Sequence, residues 1–220
     1  MPRRADHHAR RVLIAEALLE VASRRGLEAV SLRHVAAEAG VTSGMVQHYF
    51  GTKDEMLVFA SRVAGERVRA RARTDDHAGE GPGAARRRAR ALLVQLLPLD
   101  DRRRDEARVS LAFWAYAAVH PALAAQLRES TARLAALLTD QIRAGRAASD
   151  GGPGRTARDG EPARHDPGRT GQTGPDGEAT GLLALTAGLA VHVLGGHCPP
   201  ATALTLLETR LDALFGPPAE

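Results

Sequence analysis

A chain of 220 residues with 44% apolar content is long enough to bury a core and too apolar to be disordered throughout. Aromatics make up 3% of it, and Ala and Leu dominate every periodic stretch; both keep their rotamer freedom in a helix, so the composition predicts an all-α fold and argues against a strand-rich one. The formal net charge of +4 rests almost wholly on arginine, with Lys53 the sole lysine, which reflects codon bias as much as a polyanionic partner unless the arginines cluster at a nucleic-acid motif.

Met1 to Arg11 is charged throughout and carries no apolar core of a signal segment. No later run reads as long enough to span a bilayer, so the expectation is a cytoplasmic protein, neither exported nor membrane-embedded. From Val12 to Ala22, Ile14, Ala17, Leu18, Val21 and Ala22 form the stripe of an amphipathic helix, which Gly26 ends. Ser31 offers an N-cap for a short helix from Leu32 to Ala39, buried through Leu32, Val35, Ala36 and Ala39. Gly40 closes that helix where a left-handed residue is needed. Thr42 caps a third helix to about Phe50, with Val46, Tyr49 and Phe50 inward, and Gly51 stops it. A longer helix from Lys53 to Arg73 follows, its apolar face made by Leu57, Ala60, Ala64 and Val68.

Thr74 to Gly83 reads as a loop. Helices are expected again at Arg86 to Leu97, at about Arg103 to Val119, and from Pro121 to about Arg146. The second of these is apolar on more than one face, so it should lie deep in the core. Ala147 to Glu178 is rich in Gly, Pro, Arg and Asp and is expected to be a disordered insert, since it has too little apolar surface to offset its ordering entropy. Leu182, Leu185, Leu189, His192 and Val193 then mark one helix up to Gly195, and Leu204, Leu207, Leu211 and Leu214 mark the last. Cys198 is the single cysteine, which rules out an intrachain disulfide and a site built from cysteines alone. His192, His197 and Cys198 lack an acidic or further cysteine partner at ligand spacing, so no metal site and no cofactor is expected.

Counted from Leu32, Ala36 falls fifth, Gly40 ninth and Val46 fifteenth, the pattern of a helix-turn-helix. Ala36 must be small because the third helix crosses it, Gly40 must tolerate positive φ, and Val46 plugs the wedge between the helices. Such a pair holds one helix where it can enter a major groove. The same spacing also occurs in ordinary helical corners. Two further features favour DNA. Ser43, Gly44, Gln47 and His48 give the third helix a small, hydrogen-bonding, uncharged outer face. Arg3, Arg4, Arg10 and Arg11 form a basic N-terminal arm placed to lie along phosphates or in a minor groove.

The stretch LEAVSLRHVAAEAGVTSGMVQHYF from Leu27 to Phe50, followed by GTKDEML, resembles the DNA-binding domain of the TetR family of bacterial regulators. Its GMVQHYF form, with FWAYAAVHPALAAQL further on, resembles the BetI-like branch. The resemblance implies a regulator with residues 1–55 as the helix-turn-helix domain and 56–220 as a ligand-sensing and dimerisation domain, interrupted by the insert at about 147–178. It implies that Thr42, Tyr49 and Lys53 hold phosphates, and that Arg33, Ser43, Gly44, Gln47 and His48 face bases or their edges. Tyr49 is equally suited to the core. Gln47 can pair bidentately with adenine and Arg33 with guanine. Gln47 and His48 stand where many members carry Tyr and a variable residue, so no operator sequence carries over.

In proteins of this type the last two helices of each subunit form a four-helix dimer interface. Gly181, Gly188 and Gly195, recurring every seven residues, offer one helix a smooth stripe, and the leucines of the final helix offer the other. Phe113, Trp114 and Tyr116 are three of the chain's few aromatics, with His120 one turn beyond. Together they suit the lining of a cavity for a small, mostly apolar effector, although each also suits core packing. Choline, which the BetI likeness implies, would want a fuller aromatic cage. The expected partners are therefore a double-stranded DNA operator, a second copy of the chain and an effector of unknown identity, with no membrane. An enzyme is not expected, since there is no nucleophile elbow, phosphate-binding turn or zinc-type histidine pair. The combined expectation is a repressor released from its operator by the effector; the alternative is a regulator that acts without a ligand or through protein partners.

Overall fold

The computed structural model describes residues 2–74, 81, 83–150 and 174–217, and all regular structure among them is helical. α1 (Pro2–Arg25) leads through one turn of 3-10 helix (Leu27–Ala29) into α2 (Leu32–Ala39), α3 (Ser43–Tyr49) and α4 (Lys53–Thr74). α5 (Ala84–Val94), α6 (Asp101–Ala117), α7 (Pro121–Asp150), α8 (Pro175–Leu194) and α9 (Pro200–Phe215) follow.

The apolar stripes become two cores. The first buries Ile14, Leu18 and Val21 of α1 with Val35 and Ala36 of α2, Val46 and Phe50 around α3, and Met56, Leu57 and Ala60 of α4. It does not stop at the helix-turn-helix: Val109, Phe113 and Ala117 of α6 and Leu123 of α7 belong to the same cluster. The boundary expected between residues 55 and 56 thus falls inside one continuous helix and one continuous core. The second core gathers Ala72 at the end of α4 with Leu92, Leu93, Leu138, Ile142, Leu182, Leu189, Leu207 and Leu211. α9 is fixed to α5 by Arg86, a buried guanidinium whose Nη2 donates to Glu208 at 2.9 Å and whose Nε donates to Asp212 at 3.0 Å. Two carboxylates on one buried cation offset much of its desolvation.

Five expectations need correction. α6 does not lie deep in the core: it buries the Val109, Phe113 and Ala117 stripe, while Leu111 and Trp114 on other faces are 43% and 53% exposed. Leu207 and Leu211 of α9 are fully buried against their own subunit, so the leucine stripe serves the internal core, and the outer face carries Thr202, Thr205, Leu206 and Thr209. The residues expected as a basic N-terminal arm belong to a helix, since α1 begins at Pro2. The insert is narrower than expected, because α7 runs to Asp150 and α8 starts at Pro175 with proline in its first turn. Arg143 and Arg146 reach across to Asp176 and Glu178 at 3.2 and 2.7 Å, tying the two flanks together. The remainder of the expected insert, residues 151–173, lies outside the described residues. Finally, α8 is long and apolar enough to cross a membrane by length and composition; its periodicity divides it between a face buried in the second core and a face of small residues that is open.

The helix-turn-helix is closed as its sequence requires. Ser31 Oγ accepts the His34 N–H, and Gly40 adopts φ 65°, with its own N–H and that of Val41 returning to α2 carbonyls. A Cβ at Gly40 would meet no atom within 4 Å, so only the backbone conformation penalises a side chain there. Gly40→Ala should therefore lower stability by ~1–2 kcal/mol in thermal unfolding. An unchanged or raised melting temperature would contradict that account of the turn.

Candidate nucleic-acid interface

α3 is set by its ends. Thr42 Oγ1 accepts the Met45 N–H at 3.1 Å, which leaves the hydroxyl hydrogen free to donate outward, as phosphate binding at a helix start needs. Val46 plugs the corner with zero exposure, and Phe50 closes the far end. With those two inward, Thr42, Ser43, Gly44, Gln47 and His48 are all exposed, as is Arg33 on α2, and Tyr49 and Lys53 are half-buried. The eight residues expected at DNA are thus all at least partly exposed on α2, on α3 with its cap, and in the first turn of α4. A Cβ at Gly44 would stand 3.9 Å from Thr42 Oγ1 and otherwise meet nothing, so the surface there is as low as the backbone allows. Tyr49 takes up the core use in part: its ring packs on the first core and touches His7 and His48.

The start of α4 is anchored just as firmly. Thr52 Oγ1 accepts the Glu55 N–H at 3.0 Å, and Glu55 Oε2 returns to accept the Gly51 N–H at 3.0 Å. This is nearly a capping box, and it orients the turn that carries Lys53. Glu55 also holds Arg11 at 2.7 Å, and the Arg11 guanidinium lies over the rings of Phe50 and Phe59 at 4.5 and 4.6 Å. Arg11, expected at phosphates, is instead a structural cation that ties α1 to α4. Arg10 stays exposed and pairs loosely with Asp6 at 3.8 Å, and the side chains of Arg3 and Arg4 lie outside the described residues.

Two family models match this architecture in order: bacterial regulatory proteins of the tetR family over residues 14–58, and the BetI-type transcriptional repressor C-terminal domain over residues 85–165. The regulator BetI of Stenotrophomonas maltophilia (strain R551-3) is 32% identical over 143 residues, covering 64% of this chain and 71% of that protein. The chain belongs to the TetR family of transcriptional regulators.

Among its TetR-family relatives, the regulator PksA of Bacillus subtilis (strain 168) is 37% identical over 117 residues, which span 53% of this chain and 56% of PksA. A crystal structure of a transcriptional regulator from Rhodococcus sp. Rha1 superposes with a TM-score of 0.70 at 32% identity, covering 92% of this chain and 94% of that one. These relatives are regulators and not enzymes.

The structure adds one residue to the exposed face of α3 that the sequence pattern did not single out. Met45 is 38% exposed and gives the otherwise polar surface an apolar tip of the kind that meets a thymine methyl. Its apolar character, counted as core in any periodicity, hid it.

The expected division between base-facing and phosphate-facing residues can be measured. Gln47→Ala should cost ~1–3 kcal/mol on a selected operator and relax one base position. Lys53→Ala should weaken all duplexes alike and reduce the slope of log affinity against log salt by about one unit per subunit. Equal effects of the two substitutions on specificity, measured by competition with scrambled duplex, would contradict the assignment.

Proposed function

We propose that the protein is a dimeric, sequence-specific repressor that leaves its operator when a small, mostly apolar molecule binds beside the C-terminal half of α6. In this reading Arg33, Ser43, Gly44, Gln47 and His48 meet bases, and Thr42, Tyr49 and Lys53 hold phosphates. The dimer forms through the open face of α8, where Gly181, Ala184, Gly188 and Val191 are exposed and a Cβ at Gly181 or Gly188 would meet nothing within 4 Å. A helix apolar on both sides needs two covers: one is its own subunit, and the proposed other is the same helix of a second copy.

The observation that carries the switch is a hydrogen bond. Tyr116 Oη donates to Asp54 Oδ1 at 3.0 Å, joining the end of α6 to the first turn of α4, next to Lys53. Burial pushes the Tyr116 hydroxyl pKa above its ordinary value, and the Asp54 carboxylate adds to the shift, so the group stays protonated and keeps donating across the neutral range. The Tyr116 ring is stacked on that of His120, with centroids 3.5 Å apart and planes 8° from parallel, and His120 Nδ1 lies 2.8 Å from the Tyr116 carbonyl oxygen. The four residues expected to meet the effector are not gathered into one lining. Phe113 is core, Trp114 faces outward, and Tyr116 with His120 forms the stacked pair at the α6–α7 corner. An effector that wedges this pair would disturb the Asp54 bond and shift α4, and with it the spacing of two recognition helices that must match ~34 Å of groove repeat.

Exposed Trp114, with Leu111 one turn before it, favours a second reading in which α6 meets a protein partner instead. Trp114 is the sole tryptophan and so reports on either event. Apolar metabolites and drugs can be screened by its fluorescence while release of a labelled duplex is followed. Compounds that change both are expected, and Tyr116→Phe should keep the fluorescence response while weakening release by the ~1–3 kcal/mol typical of such coupling. Release from Tyr116→Phe at the wild-type concentration would contradict the switch, and fluorescence changes only with added cell protein would favour the partner reading.

A further inference from the structure

The first turns of α1 lie over the corner between α3 and α4, and their histidines are unused by the helix-turn-helix pattern. His7 stands with its ring centroid 4.9 Å from that of Tyr49, and Tyr49 meets His48 edge-on at 5.2 Å. His8 turns the other way, towards Phe59 of α4 at 5.9 Å. His7 and His48 are exposed and Tyr49 half-buried, so an imidazole, a phenol and a second imidazole run in a row from α1 onto the recognition helix.

Two of the permanent cations near His7 on α1 are held by carboxylates, Arg10 loosely with Asp6 and Arg11 with Glu55. Among the described residues no carboxylate ion-pairs with His7 itself; its ring contact is with Tyr49. The charged and titratable groups beside it are Asp6, His8, Arg10 and Arg11 on its own helix and Tyr49 of α3, with His48 beyond Tyr49 and Glu55 of α4 held by Arg11. An imidazolium is accommodated against an aromatic face, and one on this side of the molecule lies where a backbone phosphate would flank Tyr49.

We propose that His7 is a DNA-contacting residue outside the helix-turn-helix, and that its protonated form binds a backbone phosphate beside Tyr49. The proposal rests on the DNA-binding reading of α3 and deepens it. Histidine changes charge between about pH 5 and 8, and a polyanion favours the charged form, so binding takes up a proton. Operator affinity therefore rises as pH falls through that window.

The test uses the full chain and a fluorescein-labelled duplex enriched from a random pool by this protein, titrated over a sodium chloride series at about pH 6 and about pH 8. The slope of log affinity against log salt should be steeper at the lower pH by about 0.9 per subunit, one phosphate each. His7→Gln should remove that difference, and His7→Arg should restore the steep slope at both pH values. A parallel His8→Gln variant should keep the pH difference, and thermal unfolding should show all three variants folded. If His7→Gln titrates as the wild type does, or His7→Arg leaves the slope at the higher pH unchanged, His7 does not hold a phosphate. A wild-type protein that retains no duplex at either pH would instead overturn the DNA-binding reading as a whole.

Discussion

Met56, Leu57 and Ala60 have no exposed surface, and they sit where the helix-turn-helix, α1 and the buried stripe of α6 converge in one core. Burying a side chain such as Leu or Met stabilises by about 1.5–3 kcal/mol, so this junction outweighs any single polar contact across it. Val46 and Phe50, at α3 and its end, are buried in the same cluster as Phe113 of α6.

Around that apolar junction the polar links are selective. Arg62 donates to Gln126 at 2.6 Å, Arg67 to Glu16 at 2.8 Å and Arg71 to Gln95 at 3.0 Å, so different faces of α4 are pinned to α7, to α1 and to the segment after α5. Each such bond nets only about 0.5–1.5 kcal/mol, or somewhat more with an ionised partner, which makes them exchangeable where the apolar contacts are not. Tyr116 to Asp54 is the one of this set that reaches the turn bearing Lys53. A small molecule with a few kcal/mol of differential binding is well matched to contacts of that size.

The helix-turn-helix was legible because each of its positions is locally over-determined. Ser31 and Thr42 cap, Gly40 turns, and Val46 plugs, and all four do so here through the contacts their chemistry predicts. What the chain hid was which side of a helix finds a partner. α6 reads as apolar all round, yet Trp114 points away from the core, because a helix face is buried only if another element reaches it. Leu207 and Leu211 illustrate the converse, a stripe that serves the subunit's own interior. Arg11 shows the limit for charges: beside a DNA-binding motif it looks like a phosphate ligand, and only the positions of Glu55, Phe50 and Phe59, 44, 39 and 48 residues away in sequence, reveal it as a tie between helices. His7 and Tyr49 meet for the same reason, through a tertiary contact that periodicity does not encode.

The central claim is that two copies of α3 are presented to DNA as one rigid unit. Hydroxyl-radical footprinting of the full-length protein, on duplexes enriched from a random pool by repeated binding, tests it most directly. The account predicts two protected half-sites on one face of the duplex, about one helical turn of 10–10.5 base pairs, or a whole multiple of it, apart. A single protected site, or no enrichment of any duplex at low salt, would contradict it.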